Sequence, residues 1–329
     1  MPAPDANAPD TMAPDLRLRL RRPGDALTET SIGTVPILWN SVVVEGLRRD
    51  TSGATILDEI ARLGYDGTQL GAGFPEGDEF RRALAARGLR LAEVYAALPA
   101  TAHGLGEDAL AIGRERLRLL HDGGGDVLCV ALDGSADRED LAGRGNLPAT
   151  PRFSDTAWLE LAGVLHTLAD ETIRAGHRLA FHPHAATYVE TPDEVERLIT
   201  MTDEARVGIC LDVGHYLVGG GDPVEAIRRL GPRVTHVHLK DVDPFVLGDL
   251  RSGALTGFGR AVQARVFTEL GAGALDLLGC LRALADAGYA GWLMVEQDSS
   301  WSPPSEAAAI GRRVLAQALA VVGSDMAGR

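Results

Sequence analysis

The stretch from residue 178 to residue 241 decides the fold, because it contains three apolar runs that end in polar side chains: RLAFHPH at 178–184, VGICLDVGH at 207–215 and VTHVHLKD at 234–241. Short apolar runs separated by longer helical patterns are typical of βαβ units in a parallel sheet. After the first run, the sequence TPDE at 191–194 supplies an N-cap hydroxyl, a proline suited to the first helical turn and a capping-box glutamate. The stretch therefore predicts parallel strands joined by helices.

The same alternation continues outside this stretch, and the number of strands decides the architecture. The predicted strands cover residues 34–39, 67–70, 89–94, 126–132, 178–182, 207–212, 234–239 and 291–296. Helical periodicity covers, among others, residues 53–63, 156–175, 191–199 and 305–322. An open doubly wound sheet shows the same alternation, but eight units without a GxGxxG after the first strand favour a closed barrel. The sequence predicts an α/β fold, a single-domain (β/α)8 TIM barrel over residues 31–329.

Composition limits the partners and the compartment. The chain has 46 acidic and 32 basic residues and a net charge of −14, which repels polyphosphate and argues against nucleic acid as a partner. Residues 1–30, rich in Ala, Pro and Asp, lack the apolar core of a secretory signal and are expected to form a disordered tail. No apolar stretch has membrane-spanning length, and the three separated cysteines suit a reducing compartment. We expect a cytoplasmic protein without membrane partners that acts on a small molecule.

The fifth to eighth strands all end in side chains of metal-ligand type. These are His182 and His184, Asp212 and His215, His236 and His238, and Glu296. Each alone has an ordinary structural explanation, as a helix cap, a hydrogen-bonded polar residue or a solvated acid. Together they would lie at the carboxyl ends of neighbouring barrel strands, where the loops form the open face of the fold. A mixed histidine and carboxylate shell of this kind indicates a divalent metal ion.

Strand alternation separates some of the candidates. His236 and His238 share one face, and His238 lies nearer the mouth, so His238 is the better ligand. Asp212 directly ends its strand, and His215, three residues later, is suited to orienting substrate or a ligand. Lys240 either contacts substrate or forms a salt bridge with the adjacent Asp241.

The fifth strand leaves three candidates for one ligand. His182 lies at the strand end, His184 lies one alternation further out, and Glu190 precedes the helix and could fold back. Glu190 also has an ordinary explanation as an acid near a helix N-terminus.

Several motifs resemble those of a known family. DVGH at 212–215, GGGDP at 219–223, HVHLKD at 236–241 and GYAGW at 288–292, which leads to Glu296, resemble motifs of the xylose-isomerase-like barrel superfamily of sugar phosphate isomerases and epimerases. The segments at 33–40, 64–71 and 181–184 are similar to the inosose dehydratase branch. The resemblance extends from residue 32 to residue 298.

The resemblance implies one divalent metal ion, with Mn²⁺ or Co²⁺ favoured and Zn²⁺, Fe²⁺ or Mg²⁺ as alternatives. It assigns Asp212, His238 and Glu296 as ligands. His182 stands where the superfamily usually has a glutamate, and Glu190 is the alternative fourth ligand. Barrels of this superfamily often pair, which implies a homodimer.

The implied activity is removal of water from a polyhydroxy ketone, inosose or a related cyclitol or sugar, through an enediolate. Glu296 or His182 would remove the proton next to the carbonyl, and Lys240 would contact a substrate oxygen. His184 or His215 would protonate the departing hydroxyl, since the pKa of histidine lies near neutral pH.

Three other functions fit parts of the pattern. A ketose isomerase or epimerase would use the same metal, and Gln69, where the branch often has glutamate, suggests a different substrate. The residues at 41–43 also depart from the paired acids of the branch. An endonuclease-IV-like phosphodiesterase is disfavoured by the net charge and by the few ligands expected on the first four strands. The third alternative is a non-catalytic sugar-binding subunit.

Overall fold

The computed structural model describes residues 27–41 and 43–327. Its eight parallel strands form a closed barrel in the order β1-β8-β7-β6-β5-β4-β3-β2. The strands are β1 (Ser31–Thr34), β2 (Gly67–Gln69), β3 (Arg90–Leu98), β4 (Val127–Leu132), β5 (Arg178–Phe181), β6 (Val207–Asp212), β7 (Val234–Leu239) and β8 (Trp292–Val295). The predicted TIM barrel is confirmed.

Helices follow the strands and cover the outside of the barrel. The α-helices are α1 (Gly53–Arg62), α2 (Gly77–Ala85), α3 (Ala109–Gly123), α4 (Ala136–Glu139), α5 (Asp155–Arg174), α6 (Pro192–Met201), α7 (Val213–Val218), α8 (Pro223–Leu230), α9 (Pro244–Ser252), α10 (Phe258–Gln263), α11 (Leu277–Asp286) and α12 (Pro304–Ala327). Single turns of 3-10 helix cover Pro36–Leu38, Glu45–Leu47 and Gly231–Arg233. Two short antiparallel ladders join Ala100–Thr101 to Gly104–Leu105 and Asp241–Val242 to Phe267–Thr268.

Local sequence explains where the central elements begin and end. Every residue of β4 and β6 is buried, as expected for parallel strands covered on both faces. The Thr191 hydroxyl accepts a hydrogen bond from the Glu194 amide, and the Glu194 carboxylate accepts one from the Thr191 amide, which completes the predicted capping box of α6. This capping box sets where α6 begins and therefore where the loop between β5 and α6 ends. That loop carries several candidate site residues.

The first strand differs from its predicted position. It was expected at residues 34–39 but covers Ser31–Thr34, and a 3-10 turn begins at Pro36. Proline has no amide hydrogen to donate to a neighbouring strand, so the ladder ends before it. Of the predicted tail, residues 1–26 lie outside the described residues, whereas Thr30 is buried. None of the helices in the described residues is both long and apolar enough to cross a membrane.

Candidate metal centre

The carboxyl ends of β5 to β8 bring the predicted ligands to one place in the barrel. His182 follows β5, Asp212 is the last residue of β6, His238 lies near the end of β7 and Glu296 follows β8. Asp212 lies opposite His238 in the register of β6 and β7. Because neighbouring parallel strands end at the same level, side chains distant in the sequence become neighbours.

Donor atoms of these four residues face one another. The Asp212 Oδ2 atom lies 3.7 Å from His182 Nε2 and 3.8 Å from His238 Nδ1. The His238 Nδ1 atom lies 2.6 Å from Glu296 Oε2. His182, Asp212 and His238 form a group of mutually close ligand atoms suited to holding a metal ion. The structure therefore brings together His182 and the three ligands expected from the motifs.

The residues present fit a divalent cation. Asp212 Oδ2, Glu296 Oε2 and His238 Nδ1 are buried atoms without a hydrogen-bond partner among the described residues. Leaving buried polar atoms unpaired costs about 1–3 kcal/mol each, and more for charged groups. Two carboxylate oxygens and an imidazole nitrogen that face one another are suited to sharing a cation, and a mixed N/O set suits Mn²⁺, Co²⁺, Zn²⁺ or Fe²⁺.

The DVGH motif orients its own ligand. Asp212 Oδ1 accepts a hydrogen bond of 2.8 Å from the His215 amide, which caps the N-terminus of α7. That bond turns the other oxygen of Asp212 toward the ligand group. A Cβ atom on Gly214 would lie 2.8 Å from the Lys240 carbonyl oxygen and 2.9 Å from its side chain, so only glycine allows α7 to approach the end of β7.

Lys240 lies inside the site and does not pair with its neighbour Asp241. Its Nζ atom lies 2.7 Å from Asp298 Oδ1, 3.0 Å from Glu296 Oε1 and 3.4 Å from Asp212 Oδ2. Burial opposes the charged form, but these three carboxylates outweigh it and hold the pKa of Lys240 well above its usual value. Of the two alternatives for Lys240, the salt bridge with Asp241 is therefore not the one that forms.

Asp241 instead organises the loop after β7. Its two carboxylate oxygens accept hydrogen bonds from the backbone amides of Val242, Gly271, Gly273 and Leu275. A carboxylate saturated in this way has no need of a lysine partner.

His184 and His215 form the rim of the site next to the ligand group. Their rings lie 3.7 Å apart between centroids, and Phe258 and Phe267 pack against His215. Burial, then the charges of His182 and Lys240, lower the pKa of His184 to about 3. Burial, followed by the charges of His184 and Lys240, holds the pKa of His215 well below its usual value. Both rings are therefore neutral near pH 7.

Glu190 lies in a different cluster of charges. Its Oε1 and Oε2 atoms accept hydrogen bonds from the amides of Gly143 (2.7 Å) and Ala186 (2.8 Å), and Oε2 lies 4.0 Å from Arg138 Nη2. Both oxygens are thus used to fasten two loops, so Glu190 does not join the ligand group and His182 is the candidate from the fifth strand.

Sequence reasoning missed two acids of the site. Glu93, in the middle of β3, is fully buried and lies 3.0 Å from His238 Nε2. Asp298 forms the shortest contact of Lys240, at 2.7 Å. From the sequence we expected few metal ligands on the first four strands and did not consider a supporting acid there, although a single acid inside the apolar run LRLAEVYAAL at 89–98 was the available signal. A buried acid in such a strand needs a partner.

Comparison with known proteins identifies the family. A family model described as xylose isomerase-like TIM barrel matches residues 57–318. The chain belongs to this family. Rhizopine catabolism protein MocC of Rhizobium meliloti, a relative, is 36% identical over 91% of this chain and 91% of its own length. Inosose dehydratase of Geobacillus kaustophilus (strain HTA426) is 34% identical over 81% of this chain and 87% of its own length.

A solved structure shares the fold of this chain. The structure of L-ribulose 3-epimerase has a TM-score of 0.68 and 18% identity, and the match covers 91% of this chain and 97% of the epimerase. At that identity the likeness shows the shared fold alone. The resemblance of the motifs to the xylose isomerase-like family is confirmed.

Proposed function

We propose that this protein is a divalent-metal-dependent hydro-lyase that removes water from a polyhydroxy ketone, inosose or a related cyclitol or sugar. The observation that carries the proposal is the meeting of His182, Asp212, His238 and Glu296 with three unpartnered donor atoms turned toward one another. The direction of the chemistry comes from relatives named inosose dehydratase, one of which is 34% identical over 81% of this chain.

His182, Asp212, His238 and Glu296 would hold the ion, with Mn²⁺ or Co²⁺ as the favoured metal. When bound, such an ion supplies positive charge that stabilises the negative charge developing on substrate oxygens as a proton leaves the carbon next to a carbonyl. The remaining chemistry belongs to side chains of this chain.

Glu296 is the better base of the two candidates. Its side chain is 11% exposed, whereas that of His182 is 2% exposed, so Glu296 borders the space from which a substrate enters. The Oε2 atom faces His238 Nδ1, and the Oε1 atom lies beside Lys240 Nζ. This arrangement keeps the Glu296 carboxylate ionised, which is the state in which it can take a proton from bound substrate.

Lys240 would donate a hydrogen bond to a substrate oxygen by exchanging one of its three present partners, Asp298, Glu296 and His215. Asp298 and Glu296 hold the ammonium group at the floor of the site, at 2.7 and 3.0 Å. Its raised pKa keeps it charged, so it favours negative charge on the substrate and does not release its own proton.

His184 is the better placed acid for the departing hydroxyl. It is partly exposed, and its Nδ1 atom lies 2.8 Å from the Ala185 carbonyl oxygen, so Nδ1 carries the proton of the neutral ring and Nε2 is bare. His215 is enclosed, with Nε2 at 3.1 Å from Lys240 Nζ. Because the pKa of His184 is about 3, its Nε2 atom would act as a relay that passes to the departing hydroxyl the proton that Glu296 removes from the substrate carbon, so the hydroxyl leaves as water.

The test is an assay of inosose in D₂O with protein that has been stripped by EDTA and reloaded with Mn²⁺ or Co²⁺. Dehydration predicts metal-dependent loss of water and formation of the unsaturated or diketone product. Recovered ketone that carries deuterium but has lost no water would instead assign isomerisation or epimerisation. Reloaded protein that shows neither reaction across a panel of cyclitol ketones would contradict an enzymatic role on this substrate class.

A further inference from the structure

One buried carboxylate lies beneath the ligand group and takes no part in the mechanism above. Glu93 is 0% exposed, and its two oxygens reach two successive inward-facing histidines of β7. Glu93 Oε2 lies 2.9 Å from His236 Nε2, and Glu93 Oε1 lies 3.0 Å from His238 Nε2.

The contact with Glu93 determines which nitrogen of His238 is free. A carboxylate faces each nitrogen of His238, Glu93 at Nε2 and Glu296 at Nδ1, and each carboxylate only accepts hydrogen bonds. A divalent ion held by Asp212 and Glu296 would displace the proton on Nδ1, and the proton of the neutral imidazole would then stay on Nε2, next to Glu93. The lone pair then lies on Nδ1, the nitrogen that faces Glu296 Oε2 at 2.6 Å and Asp212 Oδ2 at 3.8 Å. With the opposite tautomer, an N–H would point into the ligand group and no lone pair would be available there.

We infer that Glu93 is a positioning residue of the metal centre, which fixes the tautomer and ring orientation of His238 and increases the basicity of its Nδ1 atom. This inference rests on the metal centre proposed above. A carboxylate that binds the far nitrogen of a metal-ligating histidine changes metal affinity by about 10- to 100-fold in other proteins.

Glu93 has a second set of neighbours that suggests a different role. Together with Cys129, Cys210 and His238 it forms a buried group whose ligand atoms lie within 4.8 Å of one another. Glu93 Oε2 already faces both imidazoles, at 3.1 Å from His238 Nε2 and 2.9 Å from His236 Nε2, which favours positioning over direct ligation. Glu93 Oε1, which has no hydrogen-bond partner among the described residues, is the atom that would bind a second ion. The two roles predict different numbers of bound ions.

The test is titration of metal-free protein with Co²⁺, followed by the visible absorption of the ion. Glu93→Gln keeps the size of the side chain but removes its charge and gives one imidazole an N–H neighbour, so we expect a Kd at least about 10-fold higher than that of the wild type. Glu93→Asp, which restores the charge with a shorter reach, should recover part of the affinity. Glu190→Gln, a buried glutamate outside the ligand group, is the matched control and should leave the Kd unchanged.

A second readout reports the tautomer directly. In Zn²⁺-loaded wild type, the imidazole ¹H–¹⁵N spectrum should show His238 with a slowly exchanging proton on Nε2 and a metal-shifted Nδ1. In Glu93→Gln that proton should exchange faster. A structural role alone would lower the melting temperature of the metal-free variant without changing this signal.

The outcomes distinguish failure of the proposed metal centre from failure of the proposed role of Glu93. Wild type that binds no Co²⁺ overturns the metal centre and the role of Glu93 with it. Wild type that binds one ion, with Glu93→Gln binding it equally tightly and showing the same imidazole spectrum, overturns only the role of Glu93. Two ions in wild type and one in Glu93→Gln would make Glu93 a ligand, which also overturns positioning.

Discussion

Two clusters of buried charge in the same barrel differ in how completely their atoms are paired. The metal-centre cluster contains His182, Asp212, His238, Lys240 and Glu296, and the Arg138 cluster contains Arg138, Glu190 and Glu194. In the Arg138 cluster every carboxylate oxygen accepts at least one hydrogen bond, and Arg138 Nε is its one bare atom among the described residues. In the metal-centre cluster, four buried atoms lack a hydrogen-bond partner within the part of the chain that the structure describes: His182 Nδ1, Asp212 Oδ2, His238 Nδ1 and Glu296 Oε2.

The difference shows that burial of charge does not by itself identify a functional site. Paired carboxylates and arginine stabilise one conformation of the loops they join, because breaking them leaves a charge unpaired. Unpaired donors that converge on one point require something further, which here is the proposed metal ion. Substitutions should therefore affect activity in one cluster and stability in the other.

The largest effect is expected for Glu296→Gln in the metal-centre cluster. Loss of the carboxylate removes the proposed base and one metal ligand, so kcat should fall about 10³-fold or more. The melting temperature of the metal-free protein should change less than the activity, because Asp298 and Asp212 still pair with Lys240 and the glutamine oxygen can still accept a hydrogen bond from it. Steady-state kinetics and thermal unfolding check both parts. Activity within 10-fold of wild type would refute the assigned role.

Arg138→Met tests the other cluster. Removing the guanidinium leaves Glu194 and Glu190 buried without their cation, which should cost about 3–5 kcal/mol of unfolding free energy in urea titrations. The matched control is Arg114→Met, whose partner pair with Glu171 is exposed at the surface and should be worth less than about 1 kcal/mol. An equal loss of stability in both variants would contradict the special role of the buried cluster.

The sequence predicted those residues of the metal-centre cluster whose positions follow from the local pattern of strands. Asp212 and Glu296 stand at or just beyond their strand ends and His238 within two residues of one, so alternation and the count of strands located them. Glu93 lies in the middle of β3, where the same reasoning expects an apolar side chain. The partner of Lys240 is Asp298 because the ends of β7 and β8 are adjacent, a contact between residues distant in sequence.

Glu190 was ambiguous for the same physical reason. Glu190 lies just before α6, where its side chain could have folded back toward the metal. In the structure the loop that carries Gly143 lies beside Glu190, and the Gly143 amide donates a hydrogen bond to its carboxylate. The first strand was misplaced because apolar residues continue past Thr34, although Pro36 ends the ladder. The periodic pattern of apolar residues could not predict which loops contact each other, nor where a single residue such as Pro36 ends a strand.

Metal removal should lower the unfolding free energy by less than Arg138→Met does, and only through the metal-centre cluster. An ion that binds only the folded state at 100 times its Kd stabilises it by about 2.7 kcal/mol, so EDTA should lower the unfolding free energy of the reloaded wild type by that amount. Asp212→Asn keeps an oxygen to accept the His215 amide and so preserves the cap of α7, but it loses the ligand charge. Its stability should respond to EDTA much less. A full EDTA effect in this variant would remove Asp212 from the ligand set, whereas Glu190→Gln should keep the full effect.

The smallest effect is the pH dependence contributed by Glu190. Burial, opposed by Arg138 and by the amides of Ala186 and Gly143, raises the pKa of Glu190 from 4.5 to about 7. Between these values the folded state binds more protons than the unfolded state, so this group makes stability fall as pH rises from about 4.5 to about 7, by at most about 1.4 kcal/mol per pH unit. Glu190→Gln should lose this slope in urea titrations at several pH values, while Glu296→Gln should retain it. An unchanged slope in Glu190→Gln would show that other groups, and not this cluster, control the response in that range.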